Sequence, residues 1–317
     1  MINDIIIKEL GEHLQGDSDT KAFLLVDPSL REPFPAEWAP VASAASWTVP
    51  ARHPGLSKDQ LPRLIQLENR NVALLQASVI AACSELADPE EENQAGFCIG
   101  GWLLTGQAVD GAVLADHLAR CMRVTSSVRP RSMLLRWPDR RVLEWMWPVL
   151  SEDQRNRLIG PLITWSTLDR RSYVHHYRAT GSSAVAPSIV LESNQLAHAE
   201  RSAIAQDLIR GWQSFADDLP ADYLHQVAQA VTASCGTGLK NRQDLALLGA
   251  YILQLHPRLT AHPRVREAME VARAGNETLA TALGAIPDPE GWDAIRDDLA
   301  HGRYLNEIEQ NREVYHG

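Results

Sequence analysis

The stretch Ala22-Phe23-Leu24-Leu25-Val26-Asp27-Pro28 decides the fold class. It holds five apolar residues in a row and ends at an Asp-Pro pair, which interrupts regular structure. A continuous apolar run of this length is typical of a strand with both faces covered. The stretch therefore predicts a buried central strand at 22–26, in a sheet with helices packed against it.

Outward from this strand, the spacing of apolar residues predicts a mixed α/β sheet with flanking helices over residues 1–185. Apolar residues that recur every three or four positions predict helices at 2–15, 72–86 and 109–123. Shorter apolar runs predict strands at 61–68, 97–104, 131–137, 162–167 and 172–177, with a candidate edge strand at 47–49. Pro62 confines its strand to a strand end or an edge position.

Capping signals mark two further helices. Asp139 is a suitable N-cap for a helix that carries Val142 to Leu150. Ser151-Glu152-Asp153-Gln154 fits a capping box, and Gly160-Pro161 ends the short helix that it opens. Upstream, the acidic tract at 90–92 ends the helix predicted at 72–86.

The apolar period becomes helical throughout from about residue 194. Helical spacing at 196–208, 224–231 and 245–255 predicts three helices, and His262-Pro263 opens a fourth, with Pro263 at the first helical position. These residues predict an all-α C-terminal lobe at 190–317. Gly181-Ser182-Ser183 is interpreted as the linker to it.

The charge is unevenly distributed. The chain has a formal net charge of −10, which argues against a general nucleic-acid binder. Residues 119–178 nevertheless hold twelve Arg and five acidic residues, a net +7, which leaves −17 for the rest. This stretch is either a solvated surface with internal ion pairs or a docking face for an acidic partner.

Nine tryptophans are many for a chain with four phenylalanines. Trp145 and Trp147 are two residues apart on one predicted helix, so they point in different directions and one of them is a candidate for exposure. Exposed Trp and Arg are frequent at protein interfaces. The alternative is that all nine tryptophans lie in the core or at its boundary.

Several features predict a cytoplasmic protein. The four cysteines have no C-x-x-C spacing and lie among apolar neighbours, as core thiols in a reducing compartment do. The N-terminus does not resemble a signal peptide, and no apolar stretch reaches the ~18 residues of a membrane span.

A search for catalytic and cofactor motifs predicts no catalytic residue, no cofactor and no metal. The sequence lacks the phosphate-binding, dinucleotide-binding, zinc-protease and nucleophile-elbow patterns. His175 and His176 would point to opposite faces of a strand, so they could not share one metal. Cys98 and His117 are interpreted as core residues rather than a catalytic pair.

Asp27 is the one position that favours an enzyme, because functional groups cluster at the carboxyl ends of strands in parallel α/β sheets. The alternative is that Asp27 caps the turn at Asp27-Pro28 or pairs with a buried arginine such as Arg136.

Residues 22–171 resemble the conserved domain of type VI secretion effector chaperones, the Tap or Tec adaptors. The most distinctive match is Leu135-Arg136-Trp137-Pro138-Asp139-Arg140-Arg141-Val142-Leu143, although the family more often has Pro in place of Arg140. Further matches are the strand ending at Asp27, the Pro-containing strand 61–67, His117-Leu118, Ile159-Gly160-Pro161 and Trp165.

This resemblance implies a non-enzymatic adaptor that binds a toxic effector in the producing cell and helps to load it onto a VgrG or PAAR spike protein. The motif residues that it singles out are Asp27, His117, Arg136, Trp137, Asp139, Arg141, Gly160 and Pro161. Arg136, Asp139 and Arg141 are expected to hold the domain together more than to contact the partner. Two alternatives stay open: a hydrolase that uses Asp27 with a histidine, and a structural subunit of a larger assembly.

Overall fold

A computed structural model of the chain describes residues 2–15, 19–29, 31–53, 55–68, 71–87, 96–128, 132–181, 188–214, 216 and 218–303. The chain divides into two compact units, Met1–Glu200 and Arg201–Gly317. This division places the helix at Ser193–Glu200 in the first unit, whereas the sequence assigned it to the second lobe. The predicted acidic tract at 90–92 and Ser182-Ser183 of the predicted linker lie outside the described residues.

The first unit is built on a six-stranded sheet in which all neighbouring strands are antiparallel. The strands of the unit are β1 (Thr20–Val26), β2 (Ser46–Thr48), β3 (Arg63–Leu67), β4 (Ile99–Gly106), β5 (Arg123–Ser126), β6 (Met133–Leu134), β7 (Leu162–Leu168), β8 (Val174–Tyr177) and β9 (Val190–Leu191). The large sheet has the order β2-β3-β1-β4-β7-β8. The prediction of a buried central strand is therefore confirmed for β1, and that of an edge strand for β2.

Helices cover both faces of this sheet. The helices of the unit are α1 (Ile2–Gln15), α2 (Ala39–Ala42), α3 (Val72–Ala87), α4 (Gly111–Met122), α5 (Arg140–Met146), α6 (Glu152–Ile159) and α7 (Ser193–Glu200). On one face, α1 and α3 bury a core with Leu24, Ile65 and Trp102, whose indole donates to Ser78 of α3 at 2.9 Å. On the other face, α4 packs against β2 and β3. The predicted mixed α/β fold is confirmed.

The strand predicted at 131–137 is largely wrong. Of the described residues 132–137, only Met133–Leu134 form a strand, which pairs with β5 in a small separate sheet of order β6-β5-β9. The ladder stops because Trp137 N–H donates to the carbonyl of Leu135 at 3.0 Å, which turns the chain. Strands β5 and β9 were not predicted at all.

The second unit is helical. Its helices are α8 (Ser202–Gln213), α9 (Tyr223–Cys235), α10 (Arg242–Gln254), α11 (Pro263–Arg273), α12 (Leu279–Gly284) and α13 (Glu290–His301). They enclose an apolar core with Leu248, Met269 and Ile295, and Trp292 stacks on Tyr251 at 4.6 Å between ring centres. The all-α prediction is confirmed, although the single helix expected at 196–208 is interrupted at Arg201.

None of the described helices combines the length and the apolar character that crossing a membrane requires. The four cysteines are free thiols, of which Cys98 and Cys121 are buried and Cys83 and Cys235 half-buried.

A histidine pair joins α1 to the sheet at β8. The rings of His13 and His176 lie 4.3 Å apart, and His176 Nδ1 lies 2.8 Å from the hydroxyl of Ser166. Burial lowers the pKa of both histidines, and the positive charge of Arg178 lowers each further, while Glu9 raises that of His13. The pKa of His176 falls to about 4.

We predict that acid weakens the fold through this pair. For His176, the unfolded chain binds the proton near pH 6.5 and the folded chain only near pH 4, so the free energy of unfolding should fall as the pH drops across that range. Urea titrations at several pH values test this, and His176→Gln should flatten the slope. His225→Gln, at an exposed position of α9, is the control and should keep the wild-type slope. An unchanged slope in His176→Gln would contradict the assignment.

Candidate functional site

The motif segment 135–143 approaches the sheet closely at a bulge in β4. The pairing register of β1 and β4 shifts between Leu25 and Val26, opposite Gly100. A Cβ atom on Gly100 would lie 2.6 Å from the carbonyl oxygen of Pro138, so only glycine allows the segment to come this close. The bulge thus sets the segment against the end of β1, where Asp27 lies.

Asp27 forms an ion pair with Arg136 and accepts a hydrogen bond from the backbone of Ser29 at 3.2 Å. The carboxylate side chain is 2% exposed and the guanidinium 28% exposed. Burial raises the pKa of Asp27, and the Arg136 charge opposes the rise. The structure therefore contains both contacts that the non-enzymatic alternative predicted for Asp27. Its strand lies in an antiparallel sheet, so the comparison with parallel sheets does not apply.

Asp139 caps α5, as predicted. Its carboxylate accepts the backbone N–H of Arg141 at 3.0 Å, and the Arg141 guanidinium donates to both carboxylate oxygens, at 2.9 Å from Nε and 2.7 Å from Nη2. A two-pronged contact of this kind fixes both side chains. It stabilises the first turn of α5, which begins within the motif.

Arg140 and Glu85 form a buried ion pair that sequence reasoning missed. Their charged atoms lie 3.3 Å apart, and both side chains are almost fully buried. Glu85 also accepts the backbone N–H groups of Cys98 at 2.7 Å and Ile99 at 3.2 Å, while Arg140 donates to the carbonyl of Ala82 at 2.7 Å. Burial raises the pKa of Glu85 and lowers that of Arg140, and each charge opposes the shift of the other.

Three guanidinium groups surround the buried ring of Phe97. The central carbons of Arg140, Arg141 and Arg170 lie 4.3, 4.9 and 4.9 Å from the ring centre. Cations near an aromatic face gain from its negative quadrupole, and more so where water is excluded. Part of the positive charge of segment 119–178 therefore makes internal contacts. This agrees with the interpretation of that stretch as a solvated surface with internal ion pairs.

A second group of motif residues is centred on His117. Its Nε2 lies 3.0 Å from the carbonyl oxygen of Leu158 and 3.5 Å from the thiol of Cys121, and burial lowers the pKa of the imidazole. Trp137 is fully buried and donates its indole N–H to the carbonyl of Cys121 at 2.8 Å. Gly160 has a φ of +50°, and a Cβ atom there would lie 2.1 Å from the His117 ring. The position of the His117 ring therefore requires glycine at residue 160.

The remaining residues that the sequence singled out are Pro161 and three tryptophans. Pro161 is half-buried at the turn into β7, and the indole of Trp165 donates to the carbonyl of Gly100 at 2.9 Å. Trp145 is buried and Trp147 half-buried, and no tryptophan of the chain is exposed, so the core-or-boundary alternative is confirmed.

The geometry of these residues is that of a structural framework. Among the described residues, no group of three or more His, Cys, Asp or Glu side chains is placed to hold a metal. Two clefts of about 530 and 490 Å³ lie in the second unit, around Asn276 and Val271, and neither Asp27 nor its partners line them. These ion pairs, caps and buried contacts fix the adjacent loops and helix ends.

The comparisons with known proteins found a family model that matches part of the chain. Residues 22–157 match the model of a domain of unknown function, DUF4123. The match includes Asp27, His117 and the whole of 135–143, and it ends shortly before Gly160. Neither the search of curated proteins nor that of solved structures found a match.

We predict that the Arg140–Glu85 pair stabilises the unit only when both partners are present. Glu85→Gln or Arg140→Met alone leaves a buried group without its partner and should lower the free energy of unfolding by about 3–5 kcal/mol. The double variant Glu85→Leu/Arg140→Met should lose less than the sum of the single losses. Asp293→Asn, which breaks the exposed pair with Arg296, is the control and should cost less than about 1 kcal/mol in the same urea titrations.

We predict that Gly160→Ala destabilises the first unit. The added methyl group meets the His117 ring and the backbone strain is new, so the loss should be about 2–5 kcal/mol. Gly106→Ala is the matched control, because a Cβ atom there meets nothing within 4 Å. Thermal unfolding of both variants measures the difference, and equal melting temperatures would contradict the contact with His117.

Proposed function

We propose that this chain is a cytoplasmic adaptor that binds a type VI secretion effector and promotes its loading onto a VgrG or PAAR spike protein. The observation that supports the proposal is the motif at 135–143, which lies inside the DUF4123 match and carries the resemblance to the effector chaperones. The family model itself states no function, so the adaptor role rests on that resemblance.

The contacts of the motif residues fit an adaptor in which the motif shapes the domain. Arg136, Asp139 and Arg141 bond to residues of their own unit, and His117 and Trp137 are buried. Contacts of this kind hold surfaces in place for a partner. We therefore expect effector binding to depend on the motif through the stability of the fold.

An affinity-tagged full-length chain, expressed in the source bacterium, tests the proposal. We expect mass spectrometry of the captured proteins to identify an effector together with a VgrG or PAAR protein. Recovery of neither class under conditions that express the secretion system would overturn the adaptor assignment.

We predict that Asp139→Ala lowers the melting temperature and the recovery of partners together, because the cap of α5 and the hold on Arg141 are both lost. The cap alone is worth about 1 kcal/mol. Asp110→Ala removes the corresponding cap of α4, which accepts from Ala112 N–H at 2.7 Å, and serves as the matched control. Loss of binding with an unchanged melting temperature would show that Asp139 contacts the partner directly.

A further inference from the structure

Strand β8 is the last strand of the large sheet, and one side of its backbone pairs with no other described strand. Asp169 N–H donates to the carbonyl of Tyr173 at 2.9 Å, and the register continues with His175 opposite Thr167. Hydrogen-bonded and non-bonded pairs alternate in an antiparallel ladder. The backbone groups of Val174 and His176 therefore point away from β7.

These outward groups have no partner in the part of the chain that the structure describes. No hydrogen bond joins the N–H or C=O of Val174 or His176 to any described residue outside β7. Two donors and two acceptors in a row form a template on which another extended chain can pair.

The side chains beside this edge are of the kinds found at protein interfaces. Tyr173 is 64% exposed, with the Arg171 guanidinium 5.0 Å from its ring centre. On the same face, Trp147 packs against Tyr177 at 4.8 Å between ring centres. Aromatic residues and arginine supply most of the binding energy at many interfaces.

An exposed positive charge lies beside this edge. Of the three arginines in residues 170–178, Arg170 is buried and Arg171 forms an ion pair with Asp169 at 3.0 Å, so Arg178 supplies the exposed charge. Arg178 lies two residues after His176, on the same face of the strand as Val174 and His176. An incoming strand with carboxylates on the Arg178 face would complement this charge.

We propose that the edge of β8 binds an extended, acidic segment of a partner protein as a seventh strand of the sheet. The segment would bond to Val174 and His176 through its backbone, pair a carboxylate with Arg178 and lay side chains against Tyr173. This inference rests on the proposed function where it takes the partner to be the effector or the spike protein, but the edge itself can be tested without either.

Selection from a displayed library of random ten-residue peptides against the full-length chain tests the edge. We expect enrichment of acidic sequences rich in β-branched residues, and protection of the Val174 and His176 amides from hydrogen exchange when a selected peptide is added. Val174→Pro removes an outward N–H and should weaken that peptide at least tenfold, and Arg178→Glu, at an exposed position, should do the same without affecting folding.

Thr48→Pro is the matched control. It places proline at an outward-facing position of β2, the opposite edge of the sheet, and should leave peptide binding unchanged. A peptide whose backbone nitrogens are methylated should not bind, because it cannot donate to the edge.

Two results would overturn the inference: amides of Val174 and His176 that are already protected in the free chain, or selected peptides that bind Arg178→Glu as well as wild type. If an effector is captured but its binding survives Val174→Pro and Arg178→Glu, the inference fails and the adaptor proposal stands. If peptides bind the edge but no effector or spike protein is captured, the adaptor proposal fails and the edge stands as a peptide-binding site.

Discussion

The Glu85 carboxylate connects three elements of the first unit. It lies at the end of α3, accepts the backbone N–H groups of Cys98 and Ile99 where β4 begins, and pairs with Arg140 in the first turn of α5. A buried carboxylate without these partners would be far too costly to retain as a charge. The path of β4 and the start of α5 are therefore fixed by one group, and the packing around Phe97 follows from it.

The motif residues form two groups, which stabilise different connections of the first unit. Asp27, Arg136, Asp139 and Arg141 make ion pairs and caps at the end of β1 and the start of α5. His117, Trp137 and Gly160 make a buried contact between α4 and the turn after α6. Both groups stabilise connections between elements. The residues that carry the resemblance thus act in the assembly of the domain.

The sequence predicted those features that depend on neighbouring residues. The apolar run at 22–26 identified the central strand, and Asp139 and the Ser151 capping box identified the starts of two helices. The ion pair of Asp27 with Arg136 was one of two suggested contacts, and both are present. The antiparallel order of the strands was not predictable, because it depends on pairings between distant segments.

The features that sequence reasoning missed are long-range ones. Glu85 and Arg140 are far apart in the chain, and nothing in either local sequence indicates the other, although a lone acid in an otherwise apolar helix was a signal. The strand expected at 131–137 failed because Arg136 and Trp137 are drawn to Asp27 and to Cys121, which bends the chain out of a strand. Tertiary contacts here override local strand propensity.

The positive charge along β8 has a consequence for the chain's own association. An open sheet edge is a common route to self-aggregation, because two copies can join edge to edge. Antiparallel pairing of Val174 in one copy with His176 in another would place Arg178 of each copy opposite Ser172 of the other. Ser172 offers no carboxylate, so a second copy of the chain lacks the ion pair that a foreign acidic strand would make with Arg178, and the edge favours the foreign strand.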